Sequence, residues 1–236
     1  MKVLIVHAHP EPRSFCAAMK DMAVAELRAR GDTVEVSDLY AMHFDPVARG
    51  EDFRGRENPD YLVYAMEQRH GWQARTLAPD ILAEVEKLQW CDFLLLSFPM
   101  FWGGVPAIMK GWFDRVLLSG PFYGGKRFYD RGGLSGRRAM LAMTLGARPH
   151  MLEDERSVHG ALDTALRPVQ RMTLAYVGFA VLPPFVAWHV PYVTDEARRA
   201  ILDDYRARLR GLDALAPLRF PRLDEFDDRL NPLAGG

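Results

Sequence analysis

The chain has 236 residues, of which 49% are hydrophobic and 26% charged, with 30 basic residues balancing 31 acidic ones. That length suits one large α/β core, and the composition excludes a disordered or fibrous chain. The charge balance gives no reason to expect nucleic acid or an anionic membrane as a partner.

The first element expected is a strand at residues 3–6, where Val3-Leu4-Ile5-Val6 forms a continuous apolar run suited to burial on both faces. This run is too short for a signal peptide or a membrane span. After a turn-rich loop, Ser14 is placed to cap a helix with apolar positions Phe15, Met19, Met22 and Leu27, which Gly31 ends. Val34 and Val36 mark a short second strand. Residues 39–80 form a polar, irregular excursion containing short helices. Pro79 opens a helix with an Ile81, Val85 and Leu88 stripe ending near Trp90.

Phe93-Leu94-Leu95-Leu96 predicts a third strand, followed by a glycine-bearing loop and a helix over about 105–118. Residues 138–144 predict a fourth strand, 162–176 a helix, 179–182 a fifth strand before Pro183-Pro184, and 195–212 a last helix. Alternating strands and helices require crossovers, hence a parallel sheet with helices on both faces. The expected architecture is an α/β three-layer sandwich, flavodoxin-like, with a five-stranded parallel sheet in the order 2-1-3-4-5. One domain is expected over 1–236, with 216–236 a Pro- and Asp-rich tail on the surface. The two cysteines, Cys16 and Cys91, cannot build a disulfide framework or a four-thiolate zinc site, which predicts a reducing, cytoplasmic setting.

In such a sheet ligands settle beyond the carboxyl ends of the strands, where the strand order reverses. Two loops therefore matter. Residues 7–15, His7-Ala8-His9-Pro10-Glu11-Pro12-Arg13-Ser14-Phe15, set an imidazole, a guanidinium and a hydroxyl beside an electropositive helix start, which suits a phosphate. Helix capping by Ser14 with incidental polar neighbours accounts for the same residues. His-x-His also admits a metal, although no nearby carboxylate or cysteine cluster completes a ligand set. Neither a Gly-x-Gly-x-x-Gly fingerprint nor a nucleotide-triphosphatase loop occurs here. The second loop, Pro99-Met100-Phe101-Trp102-Gly103-Gly104-Val105-Pro106, joins flat apolar rings to glycines that permit close backbone approach, as a planar cofactor needs. The same aromatics would also serve a subunit interface.

At these loops the chain resembles the NAD(P)H:quinone oxidoreductase family. His9 with Ser14-Phe15, Ser37-Asp38-Leu39-Tyr40-Ala41-Met42, Ala78-Pro79-Asp80-Ile81, Phe98-Pro99 with Trp102, the run from Gly104 through Trp112 to Val116, and His159-Gly160 match it in order. The resemblance implies a flavin, usually FAD with FMN as the alternative, and hydride transfer from NADH or NADPH through flavin N5 to a quinone-like acceptor in two half-reactions. By position, His9, Ser14 and Phe15 would contact the diphosphate and ribityl region, with Arg13 a neighbouring candidate. Pro99, Met100, Phe101 and Trp102 would line the ring system, Thr144, Gly146 and Ala147 its other edge, and Arg198 would lie beside the adenine.

His159 would be the catalytic group, answering negative charge on the reduced ring; a solvated loop histidine is the alternative. The tyrosine often found about six residues earlier is missing, since Met151-Leu152-Glu153 stands there. The acceptor pocket would use Trp102, Met151 and His159, closed by Tyr123, Phe128 and Tyr176, some of them across a homodimer interface. Gly124-Gly125-Lys126-Arg127 is either a mobile basic lid or a plain surface turn. Competing readings are an FMN-dependent azo- or nitroreductase on the same fold and a flavoprotein regulatory subunit of a potassium-efflux channel.

Overall fold

The computed structural model describes residues 1–233. Strand β1 (Lys2–His7) lies between β2 (Thr33–Asp38) and β3 (Phe93–Pro99), parallel to both, in register Val3 with Val34 and Val3 with Phe93. Strand β4 (Arg138–Thr144) pairs with β3 from Phe93–Arg138 to Pro99–Thr144, and β5 (Ala180–Val181) follows it, giving the order β2-β1-β3-β4-β5.

Side-chain alternation divides the core in two. Val3, Ile5, Phe93, Leu95, Met140 and Ala142 face helices α1 (Phe15–Ala29) and α6 (Asp195–Arg210), meeting Met19, Ala23, Leu27, Tyr205 and Leu209. Leu4, Val6, Leu94, Leu96, Leu141 and Met143 face the opposite layer. That layer holds α3 (Pro79–Trp90), α4 (Ala107–Val116) and α5 (Leu162–Val169), which contribute Ile81, Val85, Met109, Trp112 and Leu166. Each such aliphatic side chain contributes about 1.5–3 kcal/mol of burial, so β1 and β3, apolar on both faces, hold the two layers together.

Three elements depart from the expected pattern. The fifth strand is cut to two residues, because Pro183 and Pro184 carry no N–H and interrupt the ladder after the Leu182 N–H donates to Ala139 O at 2.8 Å. Pairing resumes in a sixth short strand, β6 (Phe185–Ala187), which aligns with Ala142–Thr144 of β4 and was not expected. The predicted helix over 162–176 becomes an eight-residue α5 carrying Pro168 inside it and a wider π-turn over Gln170–Ala175. The excursion contains a full helix, α2 (Tyr64–Ala74).

Arg115 of α4 pins this excursion to the core. Its guanidinium donates to Asp52 at 2.8 Å, to Asp80 at 2.6 Å and to the Asp45 carbonyl at 2.8 Å. Burial works against the Asp52 carboxylate, but hydrogen bonds from Arg115 and Tyr64 prevail and hold its pKa below the usual range. Beyond α6 the chain returns along the surface: the Leu218 N–H donates to Val181 O, the Leu223 N–H to Asp130, and Lys126 pairs with Asp228. The tail expectation extends to residues 234–236, which lie outside the described residues.

Gly111 is where α4 meets the excursion, since a Cβ there would fall 2.2 Å from the Pro46 carbonyl oxygen and 2.4 Å from its Cα. Gly111→Ala must therefore push residues 44–52 off α4, at a cost of about 1–3 kcal/mol. A lowered urea midpoint checks this.

Candidate active site

The carboxyl ends of β1, β3, β4 and β6 release four loops on one edge of the sheet, and these loops form a crevice. The β1 loop opens α1. Ser14 is extended (φ −67, ψ 160) and its Oγ accepts from the Ala17 N–H at 3.1 Å, while no acidic residue occupies the first turn. The Phe15 and Cys16 N–H groups have no partner among the described residues. They leave a positive helix end facing the crevice. The half-buried His9 accepts the Glu11 N–H at Nδ1, 3.0 Å away, so its ring proton resides on Nε2 as an outward donor. Burial lowers the His9 pKa and favours that neutral form. Arg13 turns away, exposed and paired with Glu11 at 3.2 Å. The two ends of the His-x-His run are engaged separately, His9 with the Glu11 amide and His7 with Ser97.

The β3 loop is a two-residue hairpin. Phe101 and Gly104 exchange both backbone hydrogen bonds at 3.0 Å, and the tip residues Trp102 and Gly103 have φ +50 and +75. These values match a type I′ turn, which suits glycine and strains tryptophan. The turn holds Trp102 fully in solvent and Phe101 nearly half exposed, above the buried Pro99 and half-buried Met100. The Trp102 and Gly103 amides lie at the tip without partners among the described residues.

On the β4 loop, the buried Thr144 accepts the Met100 N–H at 3.0 Å and so ties this loop to β3. The Gly146 and Ala147 N–H groups lack partners among the described residues, while their carbonyls accept from His189 Nδ1 at 2.8 Å and the His189 N–H at 3.0 Å. In the stretch Met151-Leu152-Glu153, where a hydroxyl was sought, Leu152 is buried and Glu153 is exposed. His159 is exposed; its N–H donates to Met151 O at 3.1 Å, which sets the two side by side.

The sequence reading missed His189 and Tyr192. Their rings lie 4.9 Å apart, and a Cβ on Gly146 would be 3.8 Å from the Tyr192 ring. The available signal was the apolar run after the proline pair, which continues the sheet to this edge. A groove of about 570 Å³ lies here, lined by residues including Arg148, His189, Tyr192 and Ala197. Arg198 follows the groove residue Ala197 on α6, pairing with Asp195 at 2.7 Å and donating to Val190 O at 3.3 Å.

Beneath the crevice, His7 Nδ1 lies 3.0 Å from Ser97 Oγ, with Cys16 Sγ 3.8 Å from the same hydroxyl. Burial pushes His7 down to about 4 and the Cys16 thiol up to about 12, so the group under the site is uncharged.

Tyr123, Phe128 and Tyr176 are also assembled, but elsewhere. The rings of Phe128 and Tyr176 stack at 5.4 Å and Tyr123 lies 5.6 Å from Tyr176. Because α4 runs back along the sheet before Tyr123 and α5 does so before Tyr176, this cluster sits at the amino ends of the strands. Seven residues of β3 separate the two edges, about 20 Å at 3.3 Å per residue. One chain does not bring them to Trp102, Met151 and His159.

A planar ring with a phosphate-bearing chain suits this edge: the loops here carry free amides at Phe15, Cys16, Trp102, Gly103, Gly146 and Ala147, an exposed aromatic turn and a helix end without acidic residues in its first turn. The family described as a flavodoxin-like fold matches residues 1–210. The chain is 41% identical over 212 residues to ribosyldihydronicotinamide dehydrogenase (quinone) of Pongo abelii, covering 89% of this chain and 91% of that protein. It is 37% identical over 235 residues to NAD(P)H dehydrogenase (quinone) 1 of Cavia porcellus, covering 99% and 84%. A candidate quinone reductase from Klebsiella pneumoniae superposes with a TM-score of 0.94 at 34% identity, covering 98% of this chain and 93% of that one.

The buried His7 predicts a pH dependence. Its folded pKa, about 4, lies below the ordinary 6.5, so unfolding takes up a proton between these values. The stabilisation, about 3 kcal/mol, is present above 6.5 and is lost as pH falls towards 4. Urea midpoints across that window should fall in the native chain and flatten in His7→Asn.

Proposed function

The chain belongs to the flavodoxin-like-fold family and, within it, to the NAD(P)H:quinone oxidoreductases, and from that premise we propose that it is a flavin-dependent NAD(P)H:quinone oxidoreductase. The observation that carries this reading is the row of free amides at Phe15, Cys16, Trp102, Gly103, Gly146 and Ala147 around the exposed Trp102 turn.

A bound flavin supplies the two-electron relay, with NADH or NADPH and the quinone-like acceptor using one site in ping-pong order. The chain's own residues position and shield. The start of α1 and the His9 Nε2–H hold phosphate oxygens, with Ser14 fixing that helix end. Pro99, Met100, Phe101 and Trp102 would hold the ring system, and the free Gly146 and Ala147 amides, beyond Thr144, would be its hydrogen-bond donors. The groove beside Arg198 favours FAD over FMN, because it offers room for an adenosine half beyond the diphosphate.

His159 supplies a proton or positive charge where negative charge gathers on the ring. It acts without a tyrosine relay, since Met151-Leu152-Glu153 carries no tyrosine. The acceptor rests between Trp102, Met151 and His159 of one chain and the Tyr123, Phe128 and Tyr176 cluster of a second copy. A homodimer therefore completes the site. Its contact face is the one bearing exposed Tyr61, Val63, Met66 and Met172 beside a groove of about 610 Å³ that Tyr123 and Tyr176 help to line. A cytoplasmic setting suits two free, buried thiols.

Purified protein should be yellow, release FAD on denaturation as judged by mass spectrometry, and bleach on titration with NADH or NADPH. A colourless protein that gains no visible absorbance with added FAD or FMN would contradict the reading. His159→Ala should retain the flavin while slowing its reduction in stopped-flow measurements by on the order of 100-fold.

A further inference from the structure

A second cleft, outside the flavin crevice, lies between α2 and the loop that follows α4. It holds about 500 Å³ and is lined by Arg69, Trp72, Gln73, Pro121, Arg127 and glycines 120, 124 and 125. No carboxylate belongs to that lining, and neither arginine pairs with one among the described residues.

Both guanidinium groups are held in place by neutral acceptors. Arg69 Nη2 donates to Ser119 Oγ at 3.2 Å, and Arg127 Nη2 donates to the Pro121 carbonyl. The glycines make this arrangement possible. A Cβ on Gly124 would sit 3.0 Å from Arg69 Nη2 and one on Gly120 3.2 Å from Arg69 Cγ, at φ values of +151 and +101 that side chains rarely adopt. The Gly124–Arg127 turn is closed by reciprocal backbone hydrogen bonds of 3.3 and 3.0 Å, which carry Arg127 back over the cleft. Two oriented cations beside a half-buried indole are suited to an anionic group attached to a flat ring. Tyr123 belongs to the same loop, and the Arg69 charge acts on its hydroxyl, so the cleft adjoins the aromatic half of the acceptor pocket.

We propose that Arg69 and Arg127 form a subsite for an anionic substituent, carboxylate or sulfonate, on the aromatic acceptor that this enzyme reduces. The assignment rests on the quinone reductase reading above and narrows its substrate class to acidic quinones. The phosphates of the nicotinamide donor have the same charge chemistry, so the test separates the two sources.

A matched pair of acceptors, 1,2-naphthoquinone and 1,2-naphthoquinone-4-sulfonate, gives the readout. In the native holoenzyme the sulfonate should be preferred, and Arg127→Ala should lower the sulfonate-to-neutral ratio of kcat/KM about tenfold, the value of one charged hydrogen bond. Arg127→Lys should restore most of it. A ratio that does not move in Arg127→Ala overturns the subsite. A selective rise in the KM for NADPH over NADH, with the acceptor ratio unmoved, assigns the cleft to the donor and overturns it equally. If the native protein reduces neither quinone, the functional reading fails, and calorimetric titration with anthraquinone-2-sulfonate still interrogates the cleft. Binding heat lost in Arg127→Ala and kept in Arg127→Lys supports the anion site, whereas equal heats in all three proteins exclude it.

Discussion

The parallel pairing of β1 with β3 governs the rest of the molecule. Both strands are buried on both faces, so each must send its chain onward through a helix, and the two crossovers leave to opposite layers: α1 to the side of α6, α4 to the side of α3 and α5. Where they part, the backbone opens at the carboxyl edge, and no side chain of the sheet can fill the gap. Polar groups remain at the end of that pairing, and the His7–Ser97 hydrogen bond satisfies them without placing a charge under the crevice. A neutral floor adds no charge to oppose the α1 amide end, which favours an anion above it.

The same topology explains why the candidate site residues lie at two edges. Trp102 and His159 ride on loops at the carboxyl edge, whereas Tyr123 and Tyr176 follow helices that return to the amino edge. Neither set moves without unmaking the sheet. The proposed homodimer would join them without altering the fold. Under the proposed subsite, substrate choice would reside on a loop remote in sequence from the Trp102 turn.

Much of this was legible in the residues. The apolar runs of β1 and β3, Ser14 as a helix cap and the glycine-bearing aromatic loop each express a local preference that the tertiary structure keeps. The resemblance grouped Tyr123, Phe128 and Tyr176, whose rings do cluster, but their separation from Trp102, Met151 and His159 depends on the direction of α4 and α5, which periodicity does not report. Pro183-Pro184 concealed β6, because a proline pair ordinarily ends a strand, whereas here the ladder skips it at the sheet edge and continues. With β6 hidden, His189 and Tyr192 were hidden too. The helix expected over 162–176 took no account of Pro168, after which the turn widens over Gln170–Ala175. The positive φ of Trp102 could not be read from composition, since the hairpin's two backbone hydrogen bonds impose it.

The central claim is that a flavin's ring lies on the Trp102 turn while its phosphates face the start of α1. Amide NMR of nitrogen-15-labelled protein, followed as FAD is added to flavin-free chain, tests it residue by residue. The account predicts the largest shifts at Phe15, Cys16, Trp102, Gly103, Gly146 and Ala147, with the Trp102 indole moving among them. Saturable FAD binding that leaves the Phe15 and Cys16 amides in place and perturbs a different edge of the sheet would contradict it.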